Sequence, residues 1–171
     1  MKIEVLPVAL IPSTLSDKIK KSEKVGVILV SSELNRLPYF KKLFEDLQIP
    51  HLILNFAEGF FPPDATTEKD RQAYLDYLRK REAELRTLGI TTRLTPIFEE
   101  EAFQIINFFL EIRNHVNLLL VCCDEGKYRS QAIARFLHHF FLDESYEPQT
   151  FDTYTYTMLE RVFSKLFPFK T

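Results

Sequence analysis

One junction limits what this chain can become more than any other feature. From Leu118 to Cys123 the sequence is unbroken apolar (LLLVCC), and Val116 precedes it across Asn117. Six polar or small-loop residues come next, Asp124 to Arg129, and from Ser130 the apolar residues Ile133, Phe136, Leu137, Phe140 and Phe141 fall on one helical face. A continuous apolar run suits a central strand of a parallel sheet, covered on both faces. The junction therefore predicts a strand over 116–123, a loop over 124–129 and a helix over 130–142. In open α/β sheets, ligands sit beyond the carboxyl ends of such strands.

The rest of the chain supplies partners for that unit. Lys2 to Leu10 and Lys24 to Ser31 read as strands, and Leu52 to Phe56 as another after Pro50 and His51. Leu37 to Leu47 has helical spacing. Gly59 to Pro63 (GFFPP) reads as a loop. Thr67 is placed to cap a helix carrying Tyr74, Leu75, Leu78, Leu85 and Leu88 on one face, ended by Gly89. Phe98, Ala102, Ile105, Ile106, Phe109 and Ile112 mark a further amphipathic helix, and a last one runs from about Tyr154 to Leu166. Alternation of strands and helices predicts a three-layer α/β fold with a central, mostly parallel sheet, in a single domain over residues 1–171.

Composition removes several function classes. With 22 basic and 24 acidic residues the formal net charge is −2, without the basic excess of a nucleic-acid binder. The one basic cluster, Lys18 to Lys24, is broken by Ser22 and Glu23 and reads as a solvated helix end. No basic region followed by a long apolar run opens the chain, and no apolar run is long enough to cross a bilayer. The two cysteines are neighbours, which gives no disulfide framework. A reduced, cytoplasmic location is expected, with neither a nucleic-acid nor a membrane partner.

The two thiols need a chemical explanation, and the junction supplies one. It reads Cys122-Cys123-Asp124-Glu125-Gly126-Lys127-Tyr128-Arg129-Ser130, containing Cys-x-x-Gly-x-x-Arg-Ser. A cysteine acts as a nucleophile in its thiolate form. A loop that wraps toward a helix N-terminus favours negative charge, through its amides and the helix dipole. The same amides, from Asp124, Glu125, Gly126, Lys127 and Tyr128, can cradle phosphate oxygens, Gly126 permitting the backbone angles required. Arg129 offers a planar, permanently charged fork for two more oxygens. Ser130 can donate a hydrogen bond to the sulfur when it departs.

Strand, Cys-x5-Arg-Ser loop and helix together resemble the signature of the protein tyrosine phosphatase superfamily, dual-specificity branch. They are similar above all to small bacterial and phage phosphatase-like proteins with the motif Val-His-Cys-Asp-Ala-Gly-Ile-Ser-Arg-Ser, preceded by a helix Phe-Thr-x-x-x-Ala-x-x-Ile-x-x-Phe. Here Phe98-Glu-Glu-Glu-Ala102-Phe-Gln-Ile105-Ile-Asn-Phe108 stands in that place, with Ala102, Ile105 and Phe108 at the spacing of the pattern. The resemblance is densest over 98–142, extends loosely to Leu54-Asn55-Phe56 and the last helix, and makes residues from about 60 to 90 an inserted helical segment. It implies a phosphatase-like fold and a metal-free, cofactor-free phosphomonoester hydrolase. Its mechanism would use Cys123 as nucleophile, Arg129 as clamp and a cysteinyl-phosphate intermediate, on a phosphorylated protein or a small phosphomonoester.

The chain departs from the signature twice. Cys122 stands where the family carries a loop-bracing His; it reads either as a small buried hydrophobe or as a redox partner of Cys123. The family's general acid, an Asp, falls at Phe56-Ala57-Glu58, so Glu58 is one candidate. Asp64, in Phe61-Pro62-Pro63-Asp64, is the other, with a competing role as a cap or first-turn acid of the following helix. Glu99, Glu100 and Glu101 read as complements of a helix dipole. His138 and His139 are adjacent on a helix and face different directions, so no metal site is expected there. The departures leave a second reading open: a catalytically weak module that binds phosphate or a phosphorylated partner. A sulfurtransferase or arsenate reductase is a third.

Overall fold

In a computed structural model that describes residues 1–169, the chain is an α/β protein built on a four-stranded, all-parallel sheet. The strands are β1 (Lys2–Pro7), β2 (Val25–Val30), β3 (His51–Leu54) and β4 (Leu118–Cys123), in the order β1-β4-β2-β3. β4 is fully buried along its length, as its unbroken apolar sequence requires. Six α-helices accompany the sheet among the described residues: α1 (Ile11–Lys20), α2 (Leu37–Asp46), α3 (Glu68–Thr87), α4 (Glu99–Ile112), α5 (Arg129–Phe140) and α6 (Thr153–Leu166). None of them is long and apolar enough to cross a membrane.

Alternation along the strands divides the core in two. Val25, Val27, Leu29, Leu118, Leu120 and Cys122 face α1 and α2. Ile28, Val30, Leu119, Val121 and Cys123 face α4, α5 and α6. The second layer is rich in phenylalanine: Phe136 of α5 lies 4.9 Å from Phe140 and 6.0 Å from Phe163 of α6 between ring centres. Each fully buried Phe contributes about 1.5–3 kcal/mol by leaving water.

The first strand is shorter than the sequence suggests. After Pro7 the chain makes a short 3-10 turn and enters α1, a helix that the sequence pattern does not announce. Its only fully buried residues are Ile11 and Leu15, too short a stripe to show a period, and Pro12 sits harmlessly in the first turn. The basic stretch at its end is tied down in part: Lys18 reaches Glu4 at 3.3 Å and Lys21 reaches Asp17 at 3.1 Å.

α3 starts after Thr67, whose hydroxyl accepts from the Asp70 amide while the Asp70 carboxylate accepts from the Thr67 amide. Tyr74, Leu75, Leu78 and Leu85 are partly covered, but Leu88 is 72% exposed and does not belong to the inner face. The one fully buried side chain of α3 is acidic. Glu82 accepts hydrogen bonds from the Leu94 and Thr95 amides and the Thr95 hydroxyl, at 2.6, 3.0 and 3.0 Å. Burial pushes its carboxyl up, but those donors and Arg93 outweigh it and hold it below the usual glutamate value. Arg93 in turn spans the Asn55 and Pro96 carbonyls and both oxygens of Glu101. Glu101 thus does more than complement a helix dipole: it fixes α4 to the extension of β3.

Removing the Glu82 carboxylate would leave three donors without an acceptor. Glu82→Ala is expected to lower the stability to urea unfolding by about 2–3 kcal/mol. Because its pKa is depressed on folding, the wild-type contribution is present near neutrality and disappears as pH falls through the folded value. The gap between wild type and variant should therefore narrow in acid.

Candidate active site

The parallel sheet brings three strand ends to one edge. In register, Cys123 ends β4 opposite Pro7 of β1 and Val30 of β2. The segments leaving these strands must meet there: Gly126 over the end of β1, and Asp124 against Ser31 and Ser32 after β2. Gly126 adopts φ +71°, and a Cβ on it would lie 2.7 Å from the Pro7 nitrogen. Both the left-handed backbone and the close approach exclude larger residues.

Asp124 makes the clasp on the other side. One oxygen accepts from the Ser31 hydroxyl at 2.6 Å and from Arg36 at 3.3 Å. The other accepts from the Ser32 amide and hydroxyl, both at 3.2 Å, and from Arg129 at 3.0 Å. Burial raises its pKa, but the Ser31, Ser32 and Arg129 contacts overcome this and hold the carboxyl below its ordinary range.

Between these fixed points the loop turns its carbonyls outward. Gly126 O accepts from Gln131 Nε2, while Gln131 Oε1 accepts from the Tyr146 hydroxyl; Lys127 O accepts from Thr150; Tyr128 O accepts from the Ala132 and Asp152 amides. A trans peptide plane sets the next N–H opposite each carbonyl. The Lys127, Tyr128 and Arg129 amides are thereby turned away from those partners. Among the described residues, the amides from Glu125 to Arg129 have no hydrogen-bond acceptor. A run of unpaired N–H groups closing on the first turn of α5 is an arrangement that binds anions.

Cys123 is only 1% exposed, and its sulfur lies 3.1 Å from the Ser130 hydroxyl and 3.5 Å from the Ser130 amide. Arg129 is 2% exposed. It donates to the Phe56 carbonyl at 2.7 Å and to Asp124, and lies 3.6 Å from Glu58. Its Nε is buried with no hydrogen-bond partner. A buried donor without an acceptor is costly, and it belongs to the residue that ends the run of unpaired amides.

Of the two candidate acids, the fold brings Glu58 to Arg129. Both line an open cleft of about 440 Å3, with Ser32, Phe60, Asp124 and Glu125. Burial raises the Glu58 pKa; Arg129 opposes this, and Glu125, Asp152 and Asp124 reinforce it, so the carboxyl titrates above the usual glutamate value. Asp64 lies elsewhere, in an exposed turn before Thr67, lining a shallow hollow with Pro62 and Asp70. It neither caps α3, which Thr67 does, nor sits in its first turn.

Cys122 and Cys123 belong to opposite core layers, which leaves the redox pairing without geometric support. Burial, with Cys123 adjacent, pushes the Cys122 thiol far above its ordinary range, so it is a neutral core residue. His138 and His139 contact Glu144 and Glu147 separately. Among the described residues no group of three or more His, Cys, Asp or Glu is placed to hold a metal ion.

Sequence reasoning missed Ser31, Ser32, Arg36 and Asp152. The two serines were within reach, since they directly follow a strand that could neighbour β4. Asp152 carried a helix-cap signal before Thr153, but its hydrogen bond to Gly59, 93 residues away, left no trace in local pattern. No family model, curated protein or solved structure matches the chain.

Two glycine substitutions test the loop geometry. Gly126→Ala combines φ +71° with overlap against Pro7, while Gly89→Ala has φ +79° in open space. The second should cost about 1–2 kcal/mol in unfolding free energy, and the first clearly more.

Proposed function

We propose that the chain is a cysteine-dependent phosphomonoester hydrolase of the protein tyrosine/dual-specificity phosphatase type, with that fold. The observation that carries this is the loop between Cys123 and Arg129: a buried sulfur hydrogen-bonded to Ser130, a run of unpaired amides, and a buried guanidinium with its Nε unused. These are the donors that the transferring phosphoryl group needs.

In the first step the Cys123 thiolate attacks phosphorus, and the S–P bond forms as the P–O bond to the leaving group breaks. The loop amides and Arg129 take the negative charge spread over the equatorial oxygens. Glu58, which holds its proton to higher pH than an ordinary glutamate, gives it to the leaving oxygen. In the second step Glu58, now a carboxylate, takes a proton from water. The water oxygen attacks phosphorus, the S–P bond breaks, and Ser130 stabilises the departing thiolate. A phosphorylated protein or a small phosphomonoester is the substrate class that the resemblance of the loop implies.

A second reading, a module that binds phosphate or a phosphorylated partner without efficient turnover, has one observation in its favour. The same Arg129 nitrogen that would face phosphate already meets the Asp124 and Glu58 carboxylates.

Turnover of p-nitrophenyl phosphate separates the two. Wild type should release p-nitrophenol and Cys123→Ser should not; binding of inorganic phosphate with no turnover by wild type would favour the module. An alkyl phosphate, whose leaving group needs a proton, tests the acid. Its hydrolysis should fall as pH rises through the elevated Glu58 pKa, because only the protonated form donates. Glu58→Gln should abolish that fall and reduce the rate about 10²-fold or more, with a smaller loss on p-nitrophenyl phosphate. Equal losses on both substrates would remove Glu58 from the mechanism.

A further inference from the structure

Asp152 is the one fully buried carboxylate near the site to which the mechanism gives no task. It is 0% exposed and pairs with no cation among the described residues. Its charge is held by hydrogen bonds alone. One oxygen accepts from the Thr155 amide at 3.2 Å, as an N-cap of α6 should. The other accepts from the Thr155 hydroxyl at 2.9 Å and from the Gly59 amide at 2.8 Å. The Gly59 contact is no part of a helix cap. It reaches across the fold to the residue directly after Glu58. The backbone amide of Asp152 meanwhile donates to the Tyr128 carbonyl, at the end of the anion-binding loop. One residue thus ties the Glu58 segment and the Cys123 loop to the same helix.

Gly59 is packed accordingly. A Cβ there would lie 2.3 Å from Tyr154 Cβ, so the backbone beside Glu58 rests directly on the first turn of α6 and has no room to shift inward.

We propose that Asp152 is a positioning residue for the general acid, fixing the Glu58 backbone through the Gly59 amide and adding a buried like charge to the surroundings of its carboxyl. The inference rests on the reading of Glu58 as the acid. Charged groups reach Glu58 from each side. Arg129 of α5 favours its ionised form; Asp124 and Glu125 from the loop and Asp152 from the start of α6 oppose it. Arg93 lines the same cleft but is engaged with Glu101, and α3 contributes the uncharged Tyr74 and Leu78. Among the three acids, Asp152 alone is wholly removed from solvent, where screening by water is weakest.

The test uses Asp152→Asn and Asp152→Ser, both good helix caps that remove the charge while leaving an acceptor. The Glu58 carboxyl carbon is titrated by NMR in the whole protein, its signal assigned by its loss in Glu58→Gln. In both variants the Glu58 midpoint should move to lower pH. The alkaline fall of alkyl phosphate hydrolysis should move with it, and kcat near neutrality should drop roughly tenfold with KM unchanged, part of what a general acid contributes. In a Glu58→Gln background the Asp152 change should add no further loss in kcat. A Glu58 midpoint that stays in place in both variants, with α6 intact by circular dichroism, would reduce Asp152 to a helix cap and overturn the proposal. Absence of any turnover by wild type would instead defeat the phosphatase reading, and the titration would still decide whether Asp152 governs Glu58.

Discussion

A guanidinium sealed from water constrains everything around it. Arg129 cannot lose its charge, and an unpaired buried cation would cost many kcal/mol. The fold meets this with the Phe56 carbonyl, the Asp124 carboxylate and the nearby Glu58. Those three contacts tie the chain beyond β3, the loop beyond β4 and the first turn of α5 into one body. Asp124 carries the tie onward to Ser31, Ser32 and Arg36 beyond β2. The carboxyl edge of the sheet is held together by charge and hydrogen bonds, where its interior is held by apolar packing. Where the resembled signature has a histidine, this chain has a core cysteine at 122, and Asp124 is the group that braces the loop.

The same electrostatics divide the carboxylates by task. Asp124 receives donors from two serines and two arginines and is held ionised. Glu58 lies 3.6 Å from one arginine, among Asp124, Glu125 and Asp152, and is held protonated to higher pH. Two acids at one cleft with their pKa values pushed apart fit the proposed mechanism, in which one braces the loop and the other transfers a proton.

Much of this was legible in the sequence because it depends on local pattern. The unbroken apolar run of β4 requires a central strand, the helical period of α5 comes after it, and a polar loop of six residues lies between. Their placement at one sheet edge is a consequence of parallel topology. Less legible were features that depend on contacts remote in sequence. α1 buries only Ile11 and Leu15, so its period is too short to read. Glu82 looks like one charge among many on α3 and turns out to be its anchor. Asp152 advertises a cap but not its reach to Gly59. Asp64, suggested by the double proline before it, shows the converse: a local pattern resembling an acid loop, in an exposed turn that lines a different hollow from the one Glu58 and Arg129 share.

The most direct test of the central claim is to look for the bond it requires. Wild-type protein mixed with p-nitrophenyl phosphate and quenched in acid within the first turnovers should gain about 80 Da, the mass of a phosphoryl group replacing a thiol proton in a covalent intermediate. Fragmentation should place that mass on Cys123, and Cys123→Ser should not acquire it by turnover. Release of p-nitrophenol with no adduct, or with the adduct on another residue, would contradict nucleophilic catalysis by Cys123.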